Sequence, residues 1–414
     1  MKIKIRKRYL FYVLAFSSAI ITAVVTGFDA IVKVQITDPW ALGLAVFVYG
    51  VIISLILTLI LSVNYKGKSL GARTIDPTFK RIRFLTKKEL PYHFLAGLGN
   101  SLITIGYFFL LSIIGDPSVV LPFTQVAILY LVVIESLSEK DTPTLIEVQS
   151  SIIVTFGAIL GSISLSGSIS FETMAIVFLI INPGWVLLSV FQRKLKMMKI
   201  KDKPNDAINI RLWNVIIAFA ITALIIFIYD VYNSTNHLNE SITASINQPL
   251  WLGLIAIGVF FSFVFYIRAL GIGKASVTQA VKATVIIFSI PVSIILGYFG
   301  IIDPFITDPI SLIFKIMSIV LIMFGILSFA LTLTKAYIFI RIKPGFDIEE
   351  TMRKLWDIKG VNRVCAVAGE YDFIIKIRTR TLVKGYERIL RKVQTVPGIE
   401  DYKWQSVLKE WEDI

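Results

Sequence analysis

Ten apolar stretches, each long enough to cross a bilayer, fill the first four fifths of this chain and stop near Lys335. They run roughly over 9–31, 40–62, 91–113, 117–137, 145–163, 170–191, 206–232, 249–270, 274–299 and 309–334. A run of about 18 or more apolar residues reads as a membrane span. The apolar fraction of 56% and the mean hydropathy of +0.76 fit that reading. The expected fold class is therefore an all-α polytopic membrane protein of ten transmembrane helices over residues 1–334. The first run is too long, and lacks the small-residue cleavage site, for a signal peptide.

The net charge of +14 invites a nucleic-acid reading. The placement of the basic residues argues against it. One face of the predicted bundle receives Lys2 to Arg8, the stretch Lys66 to Lys88, the loop Arg193 to Lys203 and the Arg268/Lys274 turn. The other receives only Lys33 and Lys315. The positive-inside rule then puts the chain in the cell membrane as a multi-pass protein, with both termini cytoplasmic. No nucleic-acid partner is expected; membrane lipid is. The loop 233–248 falls outside and carries two N-x-S/T triplets, at Asn233 and Asn239.

Cys365 is the only cysteine, so no internal disulfide can form. His93 and His237 fall on opposite faces, which makes a zinc site improbable. No Walker A motif, nucleophile elbow or metal signature occurs. The chain is expected not to be an enzyme: no catalytic residue, no metal and no cofactor is predicted, and transport would not be powered by ATP hydrolysis within it.

Two tight turns sit at corresponding places in the two halves. Gly115-Asp116-Pro117-Ser118-Val119 introduces the fourth run and Gly273-Lys274-Ala275-Ser276-Val277 the ninth. Phe156-Gly157 in the fifth run matches Phe324-Gly325 in the tenth. This pattern predicts two five-span repeats, about 9–163 and 170–334. An odd number of spans makes the second copy inverted, a recurring build of secondary transporters. Small residues also recur in membrane helices simply because they permit close packing. The run Ser118 to Leu137, then Glu139-Lys140-Asp141-Thr142-Pro143, then Gly157 to Leu160, resembles the end of a repeat in the drug/metabolite transporter superfamily (EamA-type). Pro291 and Gly325 resemble the same region of the second repeat. The early Pro122, and Asp303-Pro304 in place of an acidic Thr-Pro turn, depart from that pattern.

Ionisable residues at membrane depth default to function. Lys282 lies eight residues past Lys274, roughly 12 Å along a helix. Gln279 and Ser289 share its helical face. That face would suit a carboxylate or phosphate. A lysine paired with an acid such as Glu135, or snorkelling to the surface, is the structural alternative. Asn182-Pro183-Gly184 interrupts the sixth run and frees backbone carbonyls, or is a packing kink. Gln125 and Asn100 are expected to complete a polar cavity. The candidate substrate-binding set is thus Lys282, Gln279, Gln125, Asn182 and Asn100. Asp29 and Lys33 are spaced to pair, and Asp29 or Glu135 is a candidate for proton coupling.

Beyond Lys335 the pattern changes to alternating strands and two amphipathic helices. The order reads βαββαβ over 335–414, an α+β ferredoxin-like domain. Gly360-Val361, Gly369-Glu370-Tyr371-Asp372 and Val396-Pro397-Gly398-Ile399 resemble the effector-binding domain of the Lrp/AsnC regulators. That resemblance implies pairing of domains into a homodimer and an amino-acid-like effector held near Gly369, Tyr371 and Asp372. The same residues would also serve an ordinary tight hairpin. The regulators' DNA-binding helix-turn-helix is absent. The whole reads as a secondary transporter of small polar or amphipathic metabolites, including amino acids or related compounds, regulated by a cytosolic small-molecule-binding domain. A non-transporting membrane receptor for amino acids, or a flippase of the same fold, are the alternatives.

Overall fold

The computed structural model describes residues 7–114, 121, 124–139, 145–162, 175–200, 203–301, 309–331, 334–358, 360–379 and 383–406. The chain forms two compact units. One comprises Met1–Glu135 and Ser151–Ile326; the other comprises Ser136–Ser150 and Leu327–Ile414.

The first unit is helical: α1 (Lys7–Gln35), α2 (Pro39–Ser62), α3 (Leu90–Ile114), α4 (Ala127–Glu139), α5 (Leu145–Ser162), α6 (Asn182–Met197), α7 (Ala207–Asn233), α8 (Pro249–Leu270), α9 (Ala275–Lys282), α10 (Val285–Tyr298) and α11 (Pro309–Leu331). The second unit takes in parts of α4, α5 and α11. Seven spans among the described residues are long and apolar enough to cross a membrane. The sequence predicts ten. The fourth, fifth and tenth predicted runs lie partly outside the described residues, and α4, α5 and α11 occupy what is described of them. Apolar side chains point outward along these helices, as Leu55, Ile56 and Leu59 do on α2 and Leu224, Phe227 and Ile228 on α7. Such surfaces are compatible with contact to lipid.

Local chemistry sets the helix ends. Asp38 caps α2 by accepting from the Trp40 and Ala41 amides, and Pro39 takes the first turn, where no donor is lost. Asp206 caps α7 through the Asn209 amide, 2.7 Å away. The ninth predicted run is not one rod. It breaks at Ala283–Thr284, directly after Lys282, into α9 and α10. Of the sixth, the described residues start at 175 and pass through a π-helical turn, Ile176–Ile181, which runs into Asn182-Pro183 at the start of α6.

Helix α1 packs on α8, and α3 packs on α6; α2 packs on both α7 and α8, and α7 also on α3. Glycines set the closest approaches. A Cβ at Gly99 on α3 would lie 2.6 Å from the Gly184 carbonyl oxygen on α6. A Cβ at Gly258 on α8 would strike Val25 on α1. Serine hydroxyls stitch the α1–α8 pair, Ser18 Oγ to Ser262 Oγ at 3.1 Å.

The tail folds as β1 (Thr334–Ile342), α12 (Ile348–Trp356), β2 (Val361–Ala366), β3 (Phe373–Thr379), α13 (Val383–Gln394) and β4 (Ile399–Ser406). The four strands form one antiparallel sheet in the order β2-β3-β1-β4. Alternation decides its core: Ile338 and Ile340 of β1 and Phe373, Ile375 and Ile377 of β3 face inward against Leu355 and Val393. Gly398 fits the turn before β4 because its φ is +88° and a Cβ there would lie 2.5 Å from the Phe346 ring.

Candidate functional site

A cavity of about 130 Å³ lies among α1, α2, α3, α6, α7, α8 and α9. That volume holds one small organic ligand or several waters. Most of its wall is apolar. The chemistry comes from Lys282, Arg211, Asp29 and Asn100, which all line it.

Lys282 is 3% exposed at the last residue of α9. Its Nζ lies 4.4 Å from the Trp185 ring centroid, 4.7 Å from Tyr266 and 5.2 Å from Phe263. Three ring faces thus attract one ammonium. Among the described residues it has neither an ion pair nor a hydrogen bond.

The sequence-stated alternative, a Lys282–Glu135 pair, does not form. Glu135 instead receives the Ala275 amide at 2.6 Å, the Ser276 amide at 3.2 Å and the Ser276 hydroxyl at 2.5 Å. It also pairs with Arg193 at 3.2 Å. A carboxylate therefore caps α9 at its positive end.

The predicted set of five splits. Lys282 and Asn100 line the cavity, and Asn100 donates to Asn214 Oδ1 at 3.1 Å. Gln279 and Gln125 do not line it. They join a closed chain in which Tyr266 donates to Gln279 at 3.0 Å, Gln279 to Gln125 at 3.4 Å and Gln125 to Thr124 at 2.8 Å. Their polar atoms are consumed by each other. Asn182 is fully buried but does not line the cavity, and Gly184 beside it is the α3 packing contact. Ser289 does not continue the Lys282 face; the helix has broken between them, and its hydroxyl bonds back to Ile286. Asp29 does not pair with Lys33. It lies buried in the cavity with Tyr107 as its hydrogen-bond partner.

Arg211, Trp185 and Phe263 escape the sequence reading. Arg211 is 2% exposed, and its Nε and Nη1 are buried without a hydrogen-bond partner among the described residues. Its guanidinium lies 4.5 Å from the Phe263 ring. The signal was available: an arginine between Ile210 and Leu212, inside an apolar run.

A second charged cluster joins the segment 76–89 to the segment 195–209. Arg83 holds Glu89 bidentately at 2.8 and 2.6 Å and reaches Asn205 Oδ1 at 2.7 Å. Lys196 reaches Asp76 at 2.7 Å and the Asn205 carbonyl at 2.7 Å. Burial works against the charge of Glu89. The Arg83 hydrogen bonds, with the Thr86 amide and hydroxyl, nevertheless hold its pKa down at about 2. Burial likewise opposes ionised Asp76, but Lys196 and the Ala207 and Thr78 amides hold its pKa below the usual carboxylate value.

Asp38, His237 and Glu240 bring one ligand atom each within 4.8 Å of one another. Asp38 is occupied there, capping α2 and holding His237 Nδ1 at 2.7 Å.

In the tail, Asp372 Oδ2 accepts the Ile342 amide at 2.7 Å, and the Asp372 amide donates to Ile340 at 2.9 Å. Its carboxylate thus fixes the sheet corner. Tyr371 is half-buried, its ring 5.6 Å from Phe339 at a tilt of 55° and 5.6 Å from the Arg341 guanidinium. Arg341 Nε donates to the Glu370 carbonyl at 2.9 Å. Gly369 opens the loop, with free space where a Cβ would stand.

Residues 335–413 match the family model of the Lrp/AsnC ligand binding domain. This tail is an Lrp/AsnC ligand-binding domain. The match covers the sheet, both helices and the Gly369–Asp372 loop, and such a domain suggests sensing of a small molecule such as an amino acid. No curated protein matches the chain. One solved structure, described only as "Crystal structure of protein", is similar at 13% identity with a TM-score of 0.48. The alignment covers 78% of this chain and 96% of that one.

Proposed function

We propose that the chain is a secondary transporter of small amphipathic or polar metabolites, amino acids and related compounds among them, regulated by its effector-binding tail. The observation that carries this reading is Lys282: a buried cation with no ion pair or hydrogen bond among the described residues, lining a cavity built by helices from both halves of the chain. Structural lysines at membrane depth are paired or reach the surface. This one does neither.

The packing pattern supports two inverted five-helix repeats within a ten-span, EamA-type body. Advancing each span number by five turns the first-with-eighth contact into the sixth-with-third. It turns the second-with-eighth contact into the seventh-with-third. Both partners of each pair occur. Gly99 and Gly258 are each the tenth residue of their helix, and each sits at the matching interface. The helix break beside Lys282 fits a transport site, since discontinuous helices commonly hold substrates there. The strand order of the tail supports a ferredoxin-like fold. Pairing of two tails into a homodimer and cytoplasmic termini complete the reading.

Flux in proteoliposomes tests it. Substrate accumulation that survives Lys282→Met unchanged removes Lys282 from the transport path. A purified protein that binds metabolites but moves none of them across the bilayer is a receptor instead.

A further inference from the structure

We infer that Arg211 and Lys282 together form an anion site, so that the cavity takes amphipathic anions: a carboxylate or phosphate head against the two cations, with an apolar body along the wall. The inference rests on the transport reading only for what happens after binding. Four observations carry it.

Both side chains line the same cavity and are at least nine-tenths buried. One ring, Phe263, lies under both, 4.5 Å from the Arg211 guanidinium and 5.2 Å from the Lys282 ammonium. Two like charges at one ring repel in a low-dielectric interior. Neither has an ion pair among the described residues, and two guanidinium nitrogens of Arg211 have no acceptor. Buried donors are costly unless satisfied, and buried charges more so. One anion would satisfy both cations, and the guanidinium fork suits the oxygens of carboxylate and phosphate alike.

Asp29 carries the remaining ionisable side chain in the cavity lining and, among the described residues, pairs with neither cation. Thr22 and Ser18 on α1 bond to Ser262, the neighbour of Phe263. Asp29 lies seven residues beyond Thr22, roughly 10 Å further along α1. The cavity is therefore polarised, with two positive charges near Phe263 and one carboxyl about two turns away. Val25, Val46, Phe47 and Ile103 are among its apolar lining. A single anionic head with an apolar body matches this distribution; a cation at the Phe263 end does not.

The test uses the full-length protein in lipid nanodiscs and four compounds with one shared body: 4-phenylbutyrate, 4-phenylbutyl phosphate, 4-phenylbutylamine and 4-phenylbutanol. Binding is read by tryptophan fluorescence, with thermal shift as a second measure. At least one anion is expected to bind roughly tenfold or more tighter than the amine and the alcohol. The tighter of the two anions identifies the head group. Arg211→Gln and Lys282→Met should each weaken that anion by roughly tenfold or more and leave the alcohol unchanged. Arg211→Lys should restore part of the loss. Removing an unpaired buried charge leaves the fold intact, and Lys282→Met alone decides the matter where Arg211→Gln does not express. Equal binding of amine or alcohol, binding of none of the four, or wild-type affinity in the variants overturns the inference. Anion binding without flux in proteoliposomes sinks only the transport reading. Flux of the amine or alcohol in preference to the anions sinks only the anion site.

Discussion

Two of the places where the helical unit buries charge treat it in opposite ways. Between segments 76–89 and 195–209, each of the four charges at Arg83, Glu89, Asp76 and Lys196 has its counter-ion, with Asn205 bridging the two pairs. Around Phe263, Arg211 and Lys282 have only aromatic faces among the described residues. The first cluster is complete and ties two loops together. The second is incomplete and lines a cavity. Burial alone therefore says little about role here; the state of the partners says much more.

Substitutions can break this contrast. The largest expected effect is on Lys282→Met: loss of flux in proteoliposomes, with thermal stability equal to or above wild type, because a buried unpaired charge is gone. A destabilised Lys282→Met protein would mean that the ammonium has a structural partner after all.

Next is Glu89→Ala, which removes the paired carboxylate and leaves Arg83 only the Asn205 and Phe84 oxygens as hydrogen-bond acceptors; it should cost about 3 kcal/mol of stability. Retained stability would show that the paired cluster is as dispensable structurally as the unpaired one.

The same residue predicts a pH response. The Glu89 pKa is held near 2 against an ordinary 4.5, so the folded state favours its ionised form. Its stabilisation is present in full above pH 4.5 and fades as pH falls toward 2. Asp76 shifts in the same direction. Melting curves across this range should show an acid limb that Glu89→Gln flattens.

The smallest effect concerns a neutral network between the two clusters. Gln279→Ala removes the acceptor of the Tyr266 hydroxyl, which keeps Ser189 at 2.7 Å. A loss of about 1 kcal/mol is expected, with substrate affinity unchanged. A large drop in affinity would restore Gln279 to the substrate site.

The sequence exposed most of the helical body, because long apolar runs and helix caps are local signals. Asp38-Pro39 and Asp206 mark helix starts directly. The tail was legible too, since the strand periodicity and the glycines at 360, 369 and 398 are contiguous in the chain. The site was legible only in part. Lys282 stands out by its depth, and the structure places it in the cavity. Gln279 and Gln125 look equally polar in sequence, yet they satisfy each other across 154 residues, a pairing that no local pattern announces. The Asp29–Lys33 spacing permits a pair, but a helical side chain answers to its tertiary neighbours first, here Tyr107. Asp372 sits in the motif loop, and its carboxylate is spent on the Ile342 amide.

The π-turn at Ile176–Ile181 has a consequence of phase. A π-turn holds one residue more than the α-turn it replaces. Everything after it is therefore rotated by about 100° from where an unbroken α-helix would point it. For a segment of this length, Trp185 owes its heading over Lys282, and Gly184 its heading toward Gly99, to that wider turn. Deleting one residue from 176–181 would restore a regular helix of nearly identical composition and hydropathy. That deletion would leave Trp185 over Lys282 and Gly184 against α3, because the lost residue and the lost π-turn cancel in phase; winding the full-length segment as a regular α-helix is what would swing the tryptophan off the lysine. The winding of this apolar segment, as much as its chemistry, is part of the site.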